Sequence, residues 1–73
     1  MNNTLYIKQI DDNTVVNILQ RILVYTESYV HKNGRFPNFV QLSKRDYDMI
    51  KNYEFSVIDE NKILNMEIIL EEK

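Results

Sequence analysis

Glu27, Ser28 and His31 form the one stretch of this sequence in which a carboxylate, a hydroxyl and an imidazole fall within five residues. Acyl-transfer chemistry needs such a hydroxyl beside a base that a third group holds in place. On a helix, Ser28 and His31 would be neighbours at i,i+3, and Glu27 would reach His31 at i,i+4. All three project onto the solvent side of the long helix read below. They are therefore expected to give a surface Glu27–His31 pair worth roughly 0.3 kcal/mol, not a catalytic group. Acidic pairs at Asp11/Asp12, Asp46/Asp48, Asp59/Glu60 and Glu71/Glu72 sit where helix caps, turns and a chain end are expected. General acid–base work would instead need a pocket that drives two carboxyl pKa values apart. A single glycine, Gly34, leaves no glycine-rich phosphate loop, and with no cysteine and one histidine a thiolate or imidazole metal site within one chain is not expected. The residues thus predict no enzyme, no cofactor and no metal.

Two non-catalytic chemistries remain. Lys32, Arg35, Lys44 and Arg45 flank Phe36 and Phe39, with no acidic residue between Glu27 and Asp46. Cations interleaved with aromatics can hold a phosphate backbone and stack bases, so this region is the candidate nucleic-acid patch. Lys32 equally suits the negative end of a helix, and the phenylalanines suit a core. The net charge of −2 is far from that of a dedicated nucleic-acid binder. The stronger expectation is protein association. A chain of 73 residues buries only about 60% of its unfolded surface, and it has no disulfide to compensate. Its charge is polarised, with +3 over residues 31–52 and −4 over residues 53–73, so the two regions could complement each other across a two-fold axis. Its last strand also carries apolar residues on both faces. Read as an exposed edge, that strand makes Ile63, Asn65, Glu67 and Ile69 the candidate dimer contacts.

The elements that must position these groups follow from hydrophobic spacing. Residues 5–10 read as a short strand. Asp11–Thr14 supply cap residues for a helix over residues 13–32, with Val15, Val16, Ile18, Leu19, Ile22, Leu23, Tyr25, Tyr29 and Val30 on one half of its circumference. Asn33-Gly34 is a left-handed stop, and Pro37 prevents the helix from resuming. Val24 alone interrupts the polar side, as an isolated exposed valine or a contact with another chain. Residues 36–42 read as extended, and Ser43 with Asp46 suggests a short helix to about Lys51, anchored by Tyr47 and Ile50. Period-two alternation at Tyr53, Phe55 and Val57 predicts a strand joined through a turn at residues 59–62 to a last strand over residues 63–70. The fold class expected is α+β, with one long helix packed on a small, mainly antiparallel sheet of three to four strands and a possible short second helix. The whole chain, 1–73, forms one domain.

No basic start followed by an apolar run opens the chain, and no stretch approaches the roughly 18 apolar residues of a membrane span. A cytoplasmic protein with no membrane partner is expected. The chain has no alanine, one glycine and one proline against many Ile, Asn, Lys and Tyr. The abundant residue types have AT-rich codons and the scarce ones GC-rich codons, as in a low-GC genome, and small proteins of this kind are common in phages. The succession LYIKQI, DDNTVVNILQRILVYTESYV, FPNFVQLSKRDYDMI and EFSVIDENKILNMEIIL resembles the Yopt family of small prophage-encoded proteins over essentially the whole chain, by length, composition and element order. The resemblance implies a homodimer whose subunit has one helix and three strands. It implies no activity and assigns no functional residue. The expectation is a prophage accessory protein acting on an unknown host or phage protein through protein–protein contact, with a small nucleic-acid-binding accessory as the alternative.

Overall fold

Strand β1 (Thr4–Tyr6), helix α1 (Val15–Asn33), strand β2 (Phe39–Ser43), helix α2 (Lys44–Lys51) and strands β3 (Lys62–Ile63) and β4 (Met66–Glu71) follow one another in the computed structural model, which describes residues 3–71. They form an α+β fold with a four-stranded sheet in the order β1-β2-β4-β3. The expected antiparallel arrangement is corrected to a mixed one: β1, β2 and β4 are mutually parallel, and only β3 pairs antiparallel to β4. The reason is the connections. A helix separates β1 from β2 and another lies between β2 and β4, and a strand that returns through a crossover helix re-enters the sheet in the same direction.

Both crossovers advance the same way across the sheet. Since such crossovers are right-handed, both helices fall on one face. The register agrees. Leu5, Val40 and Ile68 are aligned across the three parallel strands and face the helices with Leu42 and Met66, whereas Tyr6, Gln41 and Ile69 form the adjacent row on the opposite, open face. The core joins Val40, Leu42, Ile63, Met66 and Ile68 of the sheet to Ile18 and Ile22 of α1 and Ile50 of α2, with Ile7 and Ile10 closing it from the loop after β1.

Helix α1, of 19 residues, is about 28 Å long, against a longest molecular dimension of 32 Å. It ends as its sequence requires. Gly34 has φ 75°, and its N–H donates to the Val30 carbonyl at 2.7 Å. Only Ile18, Ile22 and Thr26 are buried on it. Thr26 offsets its polarity by donating its hydroxyl to the Ile22 carbonyl at 2.8 Å. The buried stripe is therefore narrower than the apolar half read from the sequence, and Val16, Leu23 and Tyr25 emerge on its flanks. Helix α2 forms as expected, with the Ser43 hydroxyl accepting from the Asp46 N–H at 3.2 Å. The two helices and four strands exceed the one and three that the Yopt resemblance implies.

The segment before β4 departs most from expectation. Residues 53–57 are not a strand. Tyr53 and Phe55 are exposed and meet edge to face at 6.3 Å between ring centroids. Two tight turns in succession make the ladder instead. Glu60 and Asn61 both have positive φ, as do Leu64 and Asn65. This is the pattern of two-residue hairpin loops whose twist matches that of paired strands. The first turn closes on Asp59 and Lys62, which exchange hydrogen bonds of 3.0 and 2.9 Å, and the second joins β3 to β4. Asn61 and Asn65 are turn residues at these positions, but Glu60 and Leu64 are not.

Candidate functional site

The candidate edge resolves differently from the sequence reading. β4 is internal, between β2 and β3. Where β3 ends, Asn61 takes over its role: its carbonyl accepts from the Ile68 N–H at 3.0 Å, and its side-chain amide donates to the Ile68 carbonyl at 3.2 Å. Among the four candidate contacts, Ile63 is buried in the core. Asn65 lies in the second turn, and Glu67 and Ile69 stand on the open sheet face. They do not form one surface, because the turn at Leu64 and Asn65 pairs Ile63 with Met66 and places it on the buried face, whereas Ile69 lies three residues beyond Met66 on the opposite face.

The candidate basic patch is also divided. Arg35 precedes β2 and Lys44 and Arg45 follow it, so the two groups lie at opposite ends of a strand about 17 Å long. Lys44 pairs with Asp48 at 3.1 Å. Arg45 is engaged inside the fold, donating to the carbonyls of Ile10 and Asp12, each at 2.6 Å, and to Asn13 Oδ1 at 3.3 Å. Its neighbour Asp46 is completely buried, accepting from the Ile10 N–H at 2.9 Å and from Arg45 Nη1 at 3.2 Å. Together they fasten the β1–α1 loop to α2. Asp46, read with Ser43 as the start of this helix, thus spends its carboxylate on Ile10 and Arg45. At the start of α1, Asp12 Oδ1 accepts from the Thr14 N–H at 2.9 Å and from the Asn17 amide at 3.4 Å. The Thr14 bond is the main cause holding the Asp12 carboxyl below its ordinary 3.8; partial desolvation opposes it, and Asn17, the Asn13 N–H and the charge of Arg21 reinforce it.

The catalytic arrangement considered for Glu27, Ser28 and His31 is not assembled. All three are exposed, and no ion pair joins Glu27 to His31 among the described residues. Among those residues no group of three or more His, Asp or Glu side chains is placed to share a metal ion, and no helix is long and apolar enough to cross a membrane.

What the structure gathers is an apolar groove that runs between α1 and the β3–β4 turn. Its wider end, about 630 Å³, is bordered by Leu23, Val30, Phe36 and Leu64. Its narrower end, about 390 Å³, is bordered by Val16, Leu19, Leu23, Val57 and Leu64. Leu23 and Leu64 belong to both and make the groove continuous. Phe36 is 66% exposed, Val16 54%, Val57 49%, Leu64 47% and Leu23 46%. Sequence spacing could not find this surface, since Val16 and Leu23 count as core by helical periodicity and Leu64 by strand alternation. The signal the sequence offered was the width of the apolar half of α1, nine residues, of which the structure fully buries Ile18 and Ile22.

Leu64 stands apart from its neighbours. It has φ 50°, a conformation that costs a side chain with a Cβ about 1–2 kcal/mol. Turn chemistry favours Asn, Asp or Gly there. Strained positions of this kind persist where the surroundings fix them, and they cluster at binding surfaces.

Comparison with protein-family models, curated proteins and solved structures finds no match for this chain.

Proposed function

We propose that this protein acts through protein–protein contact and that a second copy of the chain occupies the groove between α1 and the β3–β4 turn. The observation that carries the reading is Leu64: a left-handed leucine, half exposed, at the centre of a continuous apolar surface. A residue chosen only for the turn would be asparagine or glycine. One chosen only for the core would be covered.

The five most exposed groove residues present roughly 450 Å² of apolar surface, within the range of functional patches on single chains. Two copies facing each other would bury about 900 Å² from these residues alone. With the polar rim of Glu27, His31 and Asn65 the total reaches the lower end of the roughly 1,200–2,000 Å² of specific interfaces. That favours a dimer that exchanges over one that is permanent. It also meets the need of a small chain for burial beyond its own core, and it agrees with the homodimer that the Yopt resemblance implies. In the prophage setting suggested by composition, the pair would act as an accessory that engages a host or phage protein.

Solution mass by light scattering across a concentration series tests this. A mass that rises from one chain to two is the expected result. One-chain mass up to the highest concentration, at low and moderate salt, would remove the homodimer and the groove's assigned occupant together.

A further inference from the structure

The opposite flank of α1 carries a different surface. A cleft of about 450 Å³ runs between residues 5–8, in and just after β1, and Tyr25, Ser28, Tyr29 and Lys32 of α1. Tyr25 is exposed and Tyr29 half-buried, so both rings border open space. Lys8 and Lys32 are exposed at its two ends. Among the described residues no acidic side chain borders the cleft, and neither lysine is in an ion pair. Along α1, Tyr25 to Lys32 spans about 10 Å, the length of roughly three stacked bases. Beyond Lys8 the adjoining cleft is closed to an anion in practice: Glu71 borders it, and its cations Lys44 and Arg45 are already paired.

We propose that this tyrosine-lined cleft, with Lys8 and Lys32 at its ends, binds a short single-stranded segment of nucleic acid. The tyrosine rings provide flat faces for bases, which stack on aromatics without regard to sequence, and the lysines meet the flanking phosphates. An acidic protein segment would use the lysines but would have no need of two rings between them. A duplex keeps its bases stacked inside and could not use the rings. The site differs from the patch read in the sequence. Only Lys32 belongs to both, and Lys8, Tyr25 and Tyr29 are brought to it by the packing of α1 against β1. It does not depend on the groove on the other flank, so the two readings can fail separately.

The test is fluorescence anisotropy of a labelled oligothymidine and an oligouridine, each titrated with the full chain at a series of salt concentrations. A duplex of equal length and a polyglutamate peptide serve as competitors. Binding to the single strands is expected, with a log–log salt slope of about −1.4 for two phosphate contacts. Lys8→Glu should weaken binding and reduce the slope by about 0.7, whereas the charge-matched Lys62→Glu, on β3, should leave both unchanged. Tyr25→Ala should weaken binding by about 5- to 150-fold, and Tyr25→Phe, which keeps the ring, should restore it. Circular dichroism of each variant verifies folding. The proposal is overturned by the absence of binding at low salt, by duplex competing as well as single strand, or by a Tyr25→Ala effect below about twofold. Competition by polyglutamate with no effect of Tyr25→Ala would assign the cleft to an acidic protein segment.

Discussion

Replacing Leu64 by asparagine separates the cost of a residue to its own chain from its value to a partner. Within one chain, Leu64 is 47% exposed, so about half of its side chain contributes to the monomer, worth roughly 1 kcal/mol. Its backbone at φ 50° costs about the same, and asparagine tolerates that conformation. The two terms offset, and the Leu64→Asn monomer should be as stable as the parent to within about 1 kcal/mol. In the dimer the exposed half, roughly 80 Å², is worth about 2 kcal/mol, and in a two-fold interface it occurs twice. About 4 kcal/mol of association free energy is at stake, a near thousandfold increase in Kd. Sedimentation or light scattering over three decades of concentration reads the second quantity, and urea unfolding at a concentration where both proteins are monomeric reads the first. A Kd changed by less than about threefold would refute the groove as the contact, however the stability moved. A monomer destabilised by 2 kcal/mol or more would refute the argument that Leu64 is strained for the sake of a partner.

Asp46→Ala strips the buried acceptor from the Ile10 N–H and from Arg45. It should cost about 3–5 kcal/mol in urea unfolding, a large share of what a chain of this size possesses, with Asp46→Asn milder because one acceptor oxygen survives. The Asp12 carboxyl is held below its ordinary 3.8, chiefly by the Thr14 N–H. Its contribution is therefore complete above the unfolded value and is lost as pH falls through the lower folded value. Asp12→Asn should accordingly differ from the parent in unfolding midpoint at pH 7 and converge with it toward pH 2. Gly34→Ala meets no atom within 4 Å but must hold φ 75°, so it should lower stability by about 1 kcal/mol through backbone strain alone, measurable as a shift in Tm.

The parts of the fold legible in the sequence were those set by local chemistry. Gly34 and Pro37 end α1, Ser43 starts α2, and Val24 stands exposed as its position on the helix demanded. Strand direction was not legible from any one strand, since Leu5, Val40 and Ile68 take the inward position of their strands whether those strands run parallel or antiparallel. It follows from the crossovers, and reading it required weighing α2 as a full helix between β2 and β4. The turn at residues 59–62 was legible, but the second turn, which splits the expected last strand into β3 and β4, was hidden because it uses Leu64, which no turn rule selects. Neither candidate site survived as one surface. Ile63 and Ile69 share parity, but the turn at Leu64 and Asn65 sets them on opposite faces, and Arg45 is consumed by backbone carbonyls of a loop more than thirty residues away in sequence. Periodicity carries no information about such a contact.

The two successive turns of the β3 ladder have a consequence for how the molecule opens. Glu60 and Leu64, both left-handed, place about 2–4 kcal/mol of backbone cost within eight residues, on a strand pair of only two residues each. β1, β2 and β4 carry no such cost and share the core with both helices. The ladder is therefore the natural first unit to detach, at a free energy well below that of global unfolding. With it would go Leu64 and one wall of the groove. A partner that grips Leu64 would thus raise the free energy of that local opening, and binding would be felt as slowed amide exchange at Ile63 and Met66 before any change in shape could be seen.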